Sequence, residues 1–66
     1  MNQLDRVSIY RELLYRALDV LEQHEPDYFY EHPELEQSAI EAIDSSKLHK
    51  LMFQLNQLNK TIDSLS

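Results

Sequence analysis

The sequence predicts an all-α fold, and two of its features lead to that prediction. Glycine is absent from all 66 residues, whereas tight two-residue β-hairpins rely on glycine to reach positive φ. Apolar residues, many of them leucine, recur at spacings of three and four, which place them on one face of a helix. We therefore expect a single helical domain over 1–66, built as a hairpin of two long helices with a short middle helix.

The first predicted helix covers residues 3–24. Asn2 is placed to cap its start, and Asp5 lies in the first turn, where a carboxylate interacts favourably with the helix dipole. One face of this helix carries an apolar stripe formed by Leu4, Val7, Tyr10, Leu14, Ala17, Leu18 and Leu21. Three further apolar residues lie outside that stripe, namely Ile9, Leu13 and Val20. The apolar surface is therefore wider than one neighbouring helix would cover.

The second predicted helix is short and covers residues 33–43. Pro26 ends the first helix, because the residue before a proline disfavours helical geometry. Pro33 suits the first turn of the second helix, where its missing N–H costs nothing. The apolar stripe of this helix is rotated by about 145° from that of the segment that follows, which argues against one continuous helix. We therefore predict a break at Asp44, Ser45 and Ser46, which are residue types that favour helix N-caps.

The third predicted helix covers residues 46–65, and its apolar residues are spaced as in a heptad seam. The first helix repeats this spacing except at Arg11, which we expect at the edge of the seam with its charge in water. The alternative is that Arg11 occupies a seam position and sets register or oligomeric state. We expect the two long helices to pack as an antiparallel pair. The residues predicted for the core and oligomer seam are Leu14, Leu18, Leu48, Leu51, Leu55, Leu58 and Ile62.

Chain length favours self-association. A domain of this size buries only about 60% of the surface that its unfolded chain exposes, so a lone core is marginal. Small domains recover stability through disulfides, metals or association, and this chain has no cysteine for a disulfide or a thiolate metal site. We therefore expect a homodimeric helical bundle.

Charge is strongly segregated along the chain. Between Ala17 and Ser46 there is no lysine or arginine, and the acidic window there consists of Asp19, Glu22, Glu25, Asp27, Glu31, Glu34, Glu36, Glu41 and Asp44. The window carries −9, and the remaining six basic and three acidic residues carry +3, which together give the net charge of −6. Complementary charge raises the rate and selectivity of association, so the window predicts a docking surface for a basic partner.

Three adjacent aromatic residues lie in the middle of this acidic window. Tyr28, Phe29 and Tyr30 cannot all face one core, and tyrosine is favoured at interfaces for its apolar body and polar tip. Phe29 is the best candidate to close the end of the helical pair. The predicted function is a small acidic protein-interaction module, regulatory or adaptor in role. Its predicted partner-binding residues are Asp27, Tyr28, Tyr30, Glu31, Glu34 and Glu36.

Other interpretations of the acidic window remain open at the level of sequence. The window can be a solvated surface that only maintains solubility. It can also mimic nucleic acid and block a DNA- or RNA-binding protein, as small acidic inhibitors from phages and mobile elements do. A third alternative is a purely structural oligomer. The net charge of −6 argues against direct binding of nucleic acid or of an anionic membrane surface.

Catalysis, cofactors and a membrane location are not expected. Phosphate-cradling loops need glycine, and two or three helices of this length rarely enclose a water-excluding pocket. His24 and His32, with the carboxylates around them, could ligate a divalent metal, but their spacing matches no known ligand pattern, so we expect no metal. No apolar run reaches the about 20 residues that span a bilayer. A cytoplasmic location is expected.

Overall fold

A computed structural model describes the backbone of residues 3–65 and the side chains of residues 5–65, and it contains four helices. Helix α1 covers Gln3–His24, α2 Tyr28–Glu31, α3 Pro33–Ser45 and α4 Leu48–Leu65. The predicted all-α fold is confirmed, with two long helices packed on each other and a shorter helix between them in the chain. The predicted Asn2 cap and the Leu4 side chain lie outside the described residues.

The connection between α1 and α3, which the sequence predicts to be a linker, contains the one-turn helix α2. Its turn is closed by the Glu31 N–H, which donates to the Asp27 carbonyl at 3.0 Å, and by the His32 N–H, which donates to the Tyr28 carbonyl at 2.8 Å. The Tyr28 N–H donates in turn to the Glu25 carbonyl at 2.9 Å. Backbone hydrogen bonds therefore continue through the connection, and its aromatic residues are held in a defined geometry.

A break separates α3 from α4 in the predicted region. The sequence predicts that the serines there cap the start of α4, whereas in the structure they lie at the end of α3. Ser46 lies in the left-handed region with φ of 54° and is the C-cap of α3. The Ser45 hydroxyl donates to the Ala42 carbonyl at 2.7 Å. Helix α4 begins at Leu48 rather than at residue 46, and the Lys47 carbonyl accepts the first bonds of its ladder from Lys50 and Leu51. The serines therefore close α3, and Lys47 occupies the N-cap of α4.

Helices α1 and α4 run in the same direction, so the predicted antiparallel packing of the two long helices is wrong. Ile9, early in α1, lines a groove together with Leu48, early in α4. Val20, late in α1, lines the next groove together with Ile62, late in α4. The chain reverses direction twice, once through α2 and once at Ser46, and α3 takes the return path.

The core lies between α1, α3 and α4. Its buried side chains are Leu14, Ala17, Leu21, Ala39, Ala42, Ile43, Leu51 and Leu58. Among the residues predicted for the seam, Leu14, Leu51 and Leu58 are fully buried, Leu18, Leu55 and Ile62 pack against them half-buried, and Leu48 is half-buried. Leu65 ends the predicted seam of α4 but is 41% exposed. Arg11 is exposed, which fits the expected place at the edge of the seam.

Candidate functional site

The predicted partner-binding residues lie on α2 and on the start of α3. Tyr28 and Phe29 are half-buried against the core, and their rings meet edge to face with centroids 6.3 Å apart and planes 84° apart. The His32 ring lies 4.5 Å from the Tyr28 ring on the adjoining turn. Aromatic packing therefore fixes α2 on the end of the helical core.

Tyr30 points away from that core. It is 89% exposed, the largest exposed fraction among the large apolar residues that lie on the surface. Successive helical residues are rotated by about 100°, so with Tyr28 and Phe29 turned inward, Tyr30 falls on the outer side of α2. Of the three aromatic residues, Tyr28 and Phe29 therefore anchor α2 on the core, and Tyr30 is exposed to solvent.

Four acidic residues that lie near Tyr30 in the sequence have exposed side chains: Asp27, Glu31, Glu34 and Glu36. Glu34 lies 3.8 Å from His32 Nδ1, which completes an ion pair only when the imidazole is protonated. Across residues 5–65, none of these four carboxylates lies within ion-pair distance of a lysine or arginine. We define Asp27, Tyr30, Glu31, Glu34 and Glu36 as the acidic tyrosine surface.

The acidic tyrosine surface belongs to one strongly charged end of the molecule. The end formed by the close of α1, α2, the start of α3 and the close of α4 carries −7, from Lys60 against Asp19, Glu22, Glu25, Asp27, Glu31, Glu34, Glu36 and Asp63. The opposite end carries +1, from Arg6, Arg11, Lys47 and Lys50 against Asp5, Glu41 and Asp44. Between the ends, Glu12 and Arg16 form an ion pair at 2.8 Å. All nine acids of the window are exposed, so the charge lies at the surface.

Two exposed apolar features add to the residues that the sequence singles out. Phe53 is 59% exposed and lines an open groove of about 440 Å³ between α3 and α4, together with Ala42 and Lys50. Sequence reasoning missed Phe53, although an aromatic residue within the third predicted helix but outside its heptad seam was a usable signal. On the other side of α4, the wide apolar surface expected for α1 is exposed at Ile9, Leu13 and Val20.

Within the described part of the chain, no group of three or more histidine, aspartate and glutamate side chains has the arrangement that would hold a metal ion. No helix over residues 3–65 combines the length and apolar character that crossing a bilayer takes. Comparison of the chain with protein-family models, with curated proteins and with solved structures found no match.

Proposed function

We propose that this chain is a small acidic protein-interaction module, regulatory or adaptor in role, which docks a partner of basic surface through the acidic tyrosine surface. The observation that carries the proposal is Tyr30, an aromatic side chain that is 89% exposed in a stretch of the chain whose carboxylates have no lysine or arginine partner within residues 5–65. Tyrosine and charged residues in this arrangement resemble the centre and rim of a protein interface.

The anchoring of α2 supports the same proposal. A docking side chain loses less conformational entropy on binding when its backbone is already held in place. Tyr28 and Phe29 hold α2 on the core, so Tyr30 is presented on a preformed turn. Across residues 5–65 these carboxylates have no lysine or arginine within ion-pair distance, so they remain available to a lysine or arginine of the partner. In this proposal the module binds without catalysis, acts in the cytoplasm and works as a homodimer.

The test compares two charge reversals of equal size. The first variant combines Glu31→Lys, Glu34→Lys and Glu36→Lys in the acidic tyrosine surface, and its net charge rises from −6 to 0. The matched control combines Asp5→Lys, Glu41→Lys and Asp44→Lys, the three exposed acids of the opposite end, and its net charge also becomes 0. Each protein is used for affinity capture from a lysate of its source, followed by quantitative mass spectrometry, after circular dichroism has confirmed equal helicity.

We expect the first variant to lose the captured protein at least about tenfold, because several complementary charges are reversed at one surface. The control should retain it, and Tyr30→Ala should lose it while keeping the charge. Equal capture by both triple variants would contradict the proposal. A captured protein that binds nucleic acid, and that added duplex DNA displaces from this chain, would instead favour the nucleic-acid mimic.

A further inference from the structure

One long face of the molecule is apolar and uncovered. On α1 it exposes Ile9, Leu13 and Val20 to 43%, 39% and 40%. On α4 it exposes Met52 to 46%. Half-buried Leu48, Leu55 and Ile62 continue the same side of α4. We define these seven residues as the α1–α4 face.

The α1–α4 face carries a second heptad seam on each helix. On α1 this seam is separate from the buried one, and on α4 it shares Leu48, Leu55 and Ile62 with the seam that packs on the core. On α1 it runs through residues 9, 13, 16 and 20, and on α4 through residues 48, 52, 55, 59 and 62, with alternating spacings of four and three. Arg16 and Asn59 are the polar members of these seams, and both line the same groove. Such spacing is typical of helices that pack on further helices, and a polar residue within a seam selects register and orientation.

Charge indicates which partner fits this face. Arg6 and Arg16 line its two grooves, and no carboxylate is among the described residues that line them. Arg16 is paired with Glu12, so Arg6 is the cation that an occupant of the face has to match. A partner that meets Arg6 needs an acidic rim next to an apolar centre. The chain itself offers that combination, because its own acidic end of −7 lies at the close of α1 and α4, beyond Val20 and Ile62 in the sequence.

We propose that the α1–α4 face binds the same face of a second copy, with the two copies antiparallel. The antiparallel arrangement places the +1 end of each copy beside the −7 end of the other. A parallel arrangement would place the two −7 ends side by side, where like charges repel. The interface is isologous, as in most homodimers, and forms a six-helix bundle from α1, α3 and α4 of both copies.

The area of the face suits such a dimer. Helix α4 has 18 residues and is about 27 Å long, and two helices side by side are about 20 Å wide. The face therefore offers on the order of 540 Å² per copy, or about 1,100 Å² in total, which exceeds the about 1,000 Å² that a specific interface needs. Burying it also enlarges a core that includes three alanines among its eight buried residues.

The antiparallel dimer has a consequence for docking, and this consequence alone rests on the proposed function. The two acidic tyrosine surfaces would lie at opposite ends of the dimer. A partner with two basic sites, or two partners joined to each other, would then bind with the avidity of a bivalent interaction.

The first test measures mass in solution by sedimentation equilibrium. The wild-type chain should have about twice its 7.9 kDa mass at micromolar concentration. Leu13→Glu and Met52→Lys each place a charge at the centre of the face, and each should raise the dissociation constant by at least about tenfold. Tyr15→Glu is the matched control, since Tyr15 is 56% exposed on α1 and lines neither groove of the face. Circular dichroism checks that each variant keeps its helicity.

A monomeric wild-type chain would overturn the proposal. So would a dimer that survives both Leu13→Glu and Met52→Lys but dissociates on Phe53→Glu, because the interface would then be the groove between α3 and α4. These measurements involve no docking partner, so their failure is distinguishable from failure of the proposed function.

The second test measures orientation. The chain has no cysteine, so Tyr30→Cys creates a single site for a nitroxide spin label. In the antiparallel dimer the two labels should be separated by about 45 Å, because both the length of α1, about 33 Å, and the width of the six-helix bundle, about 30 Å, lie between them. In a parallel dimer only the width would separate them, about 30 Å. A double electron–electron resonance distance in the shorter range would overturn the antiparallel arrangement.

Discussion

The ring of Tyr28 lies 4.5 Å from the ring of His32, with the two planes tilted by 39°. The same two residues are joined through the backbone, where the His32 N–H donates to the Tyr28 carbonyl. His32 is followed by Pro33, the first residue of α3. This contact therefore ties the one-turn helix α2 to the helix that returns along α1.

That contact predicts unequal effects for two tyrosines of the same turn. Tyr28→Ala should reduce the free energy of unfolding by about 1–2 kcal/mol, because it removes a half-buried ring from the core and from His32. Tyr30→Ala should change it by less than about 0.5 kcal/mol, because that ring is in solvent. Urea denaturation at one fixed protein concentration measures both, since dimerisation makes stability depend on concentration. Equal losses would contradict the division into anchor and presented residue.

The core predicts a second contrast within α4. Leu51→Ala and Leu58→Ala should each reduce the free energy of unfolding by about 2–5 kcal/mol, because each truncates a fully buried side chain. For a domain of this size, such a loss is a large part of the total stability. Leu65→Ala is the control, since Leu65 belongs to the same heptad spacing but is 41% exposed. Thermal and urea unfolding followed by circular dichroism should leave this variant within about 0.5 kcal/mol of wild type.

The break between α3 and α4 predicts that a glycine would be tolerated where the chain now has serine. Ser46 has φ of 54°, a conformation that costs a residue with a Cβ about 1 kcal/mol. Ser46→Gly relieves this cost but adds freedom to the unfolded chain, so the variant should be as stable as wild type or more stable by up to about 1 kcal/mol. Ser45→Gly is the comparison, because Ser45 is helical and donates to the Ala42 carbonyl. It should be less stable by about 1 kcal/mol. The reverse order in urea denaturation would contradict the assignment of Ser46 as the left-handed cap.

The start of α4 predicts a stabilising substitution. Lys47 accepts the first backbone bonds of α4 but lacks a side-chain oxygen to cap it, and its positive charge lies at the positive end of the helix dipole. Lys47→Asn should raise the free energy of unfolding by about 1 kcal/mol, because an asparagine oxygen can accept from a free N–H of the first turn. Lys50→Asn removes an equal charge within the helix and should not stabilise. Equal gains from the two variants would assign the effect to net charge instead of capping.

Particular residues show how far local pattern predicts this fold. The positions of α1, α3 and α4 follow from apolar spacing, from Pro26 and from Pro33, because these act within a few residues of the chain. The break before α4 was predictable from the rotation between two apolar stripes. The role of its serines was not, because the same hydroxyl can cap the end of one helix or the start of the next. The one-turn α2 was missed, since its three aromatic residues form a turn only once two of them pack on the core.

The candidate site was likewise only partly predictable from the sequence. The acidic window and the three aromatics are apparent in the sequence, and so is the expectation that an aromatic is exposed. Which tyrosine is exposed depends on the seating of α2, and Tyr30 lies outside because Tyr28 and Phe29 turn inward.

The spacing of apolar residues and the positions of charged residues can be seen directly in the sequence. They determine that the chain is helical, where its long helices lie and that its middle is acidic. Tertiary packing decides that α1 and α4 run in the same direction and that the seam of Leu14 and Leu21 is buried while that of Ile9 and Leu13 remains exposed. Both seams of α1 have heptad-like spacing, so the sequence alone does not rank them. The choice follows from α3, because its small Ala39 and Ala42 allow close packing against one side of the helical pair and leave the other side uncovered.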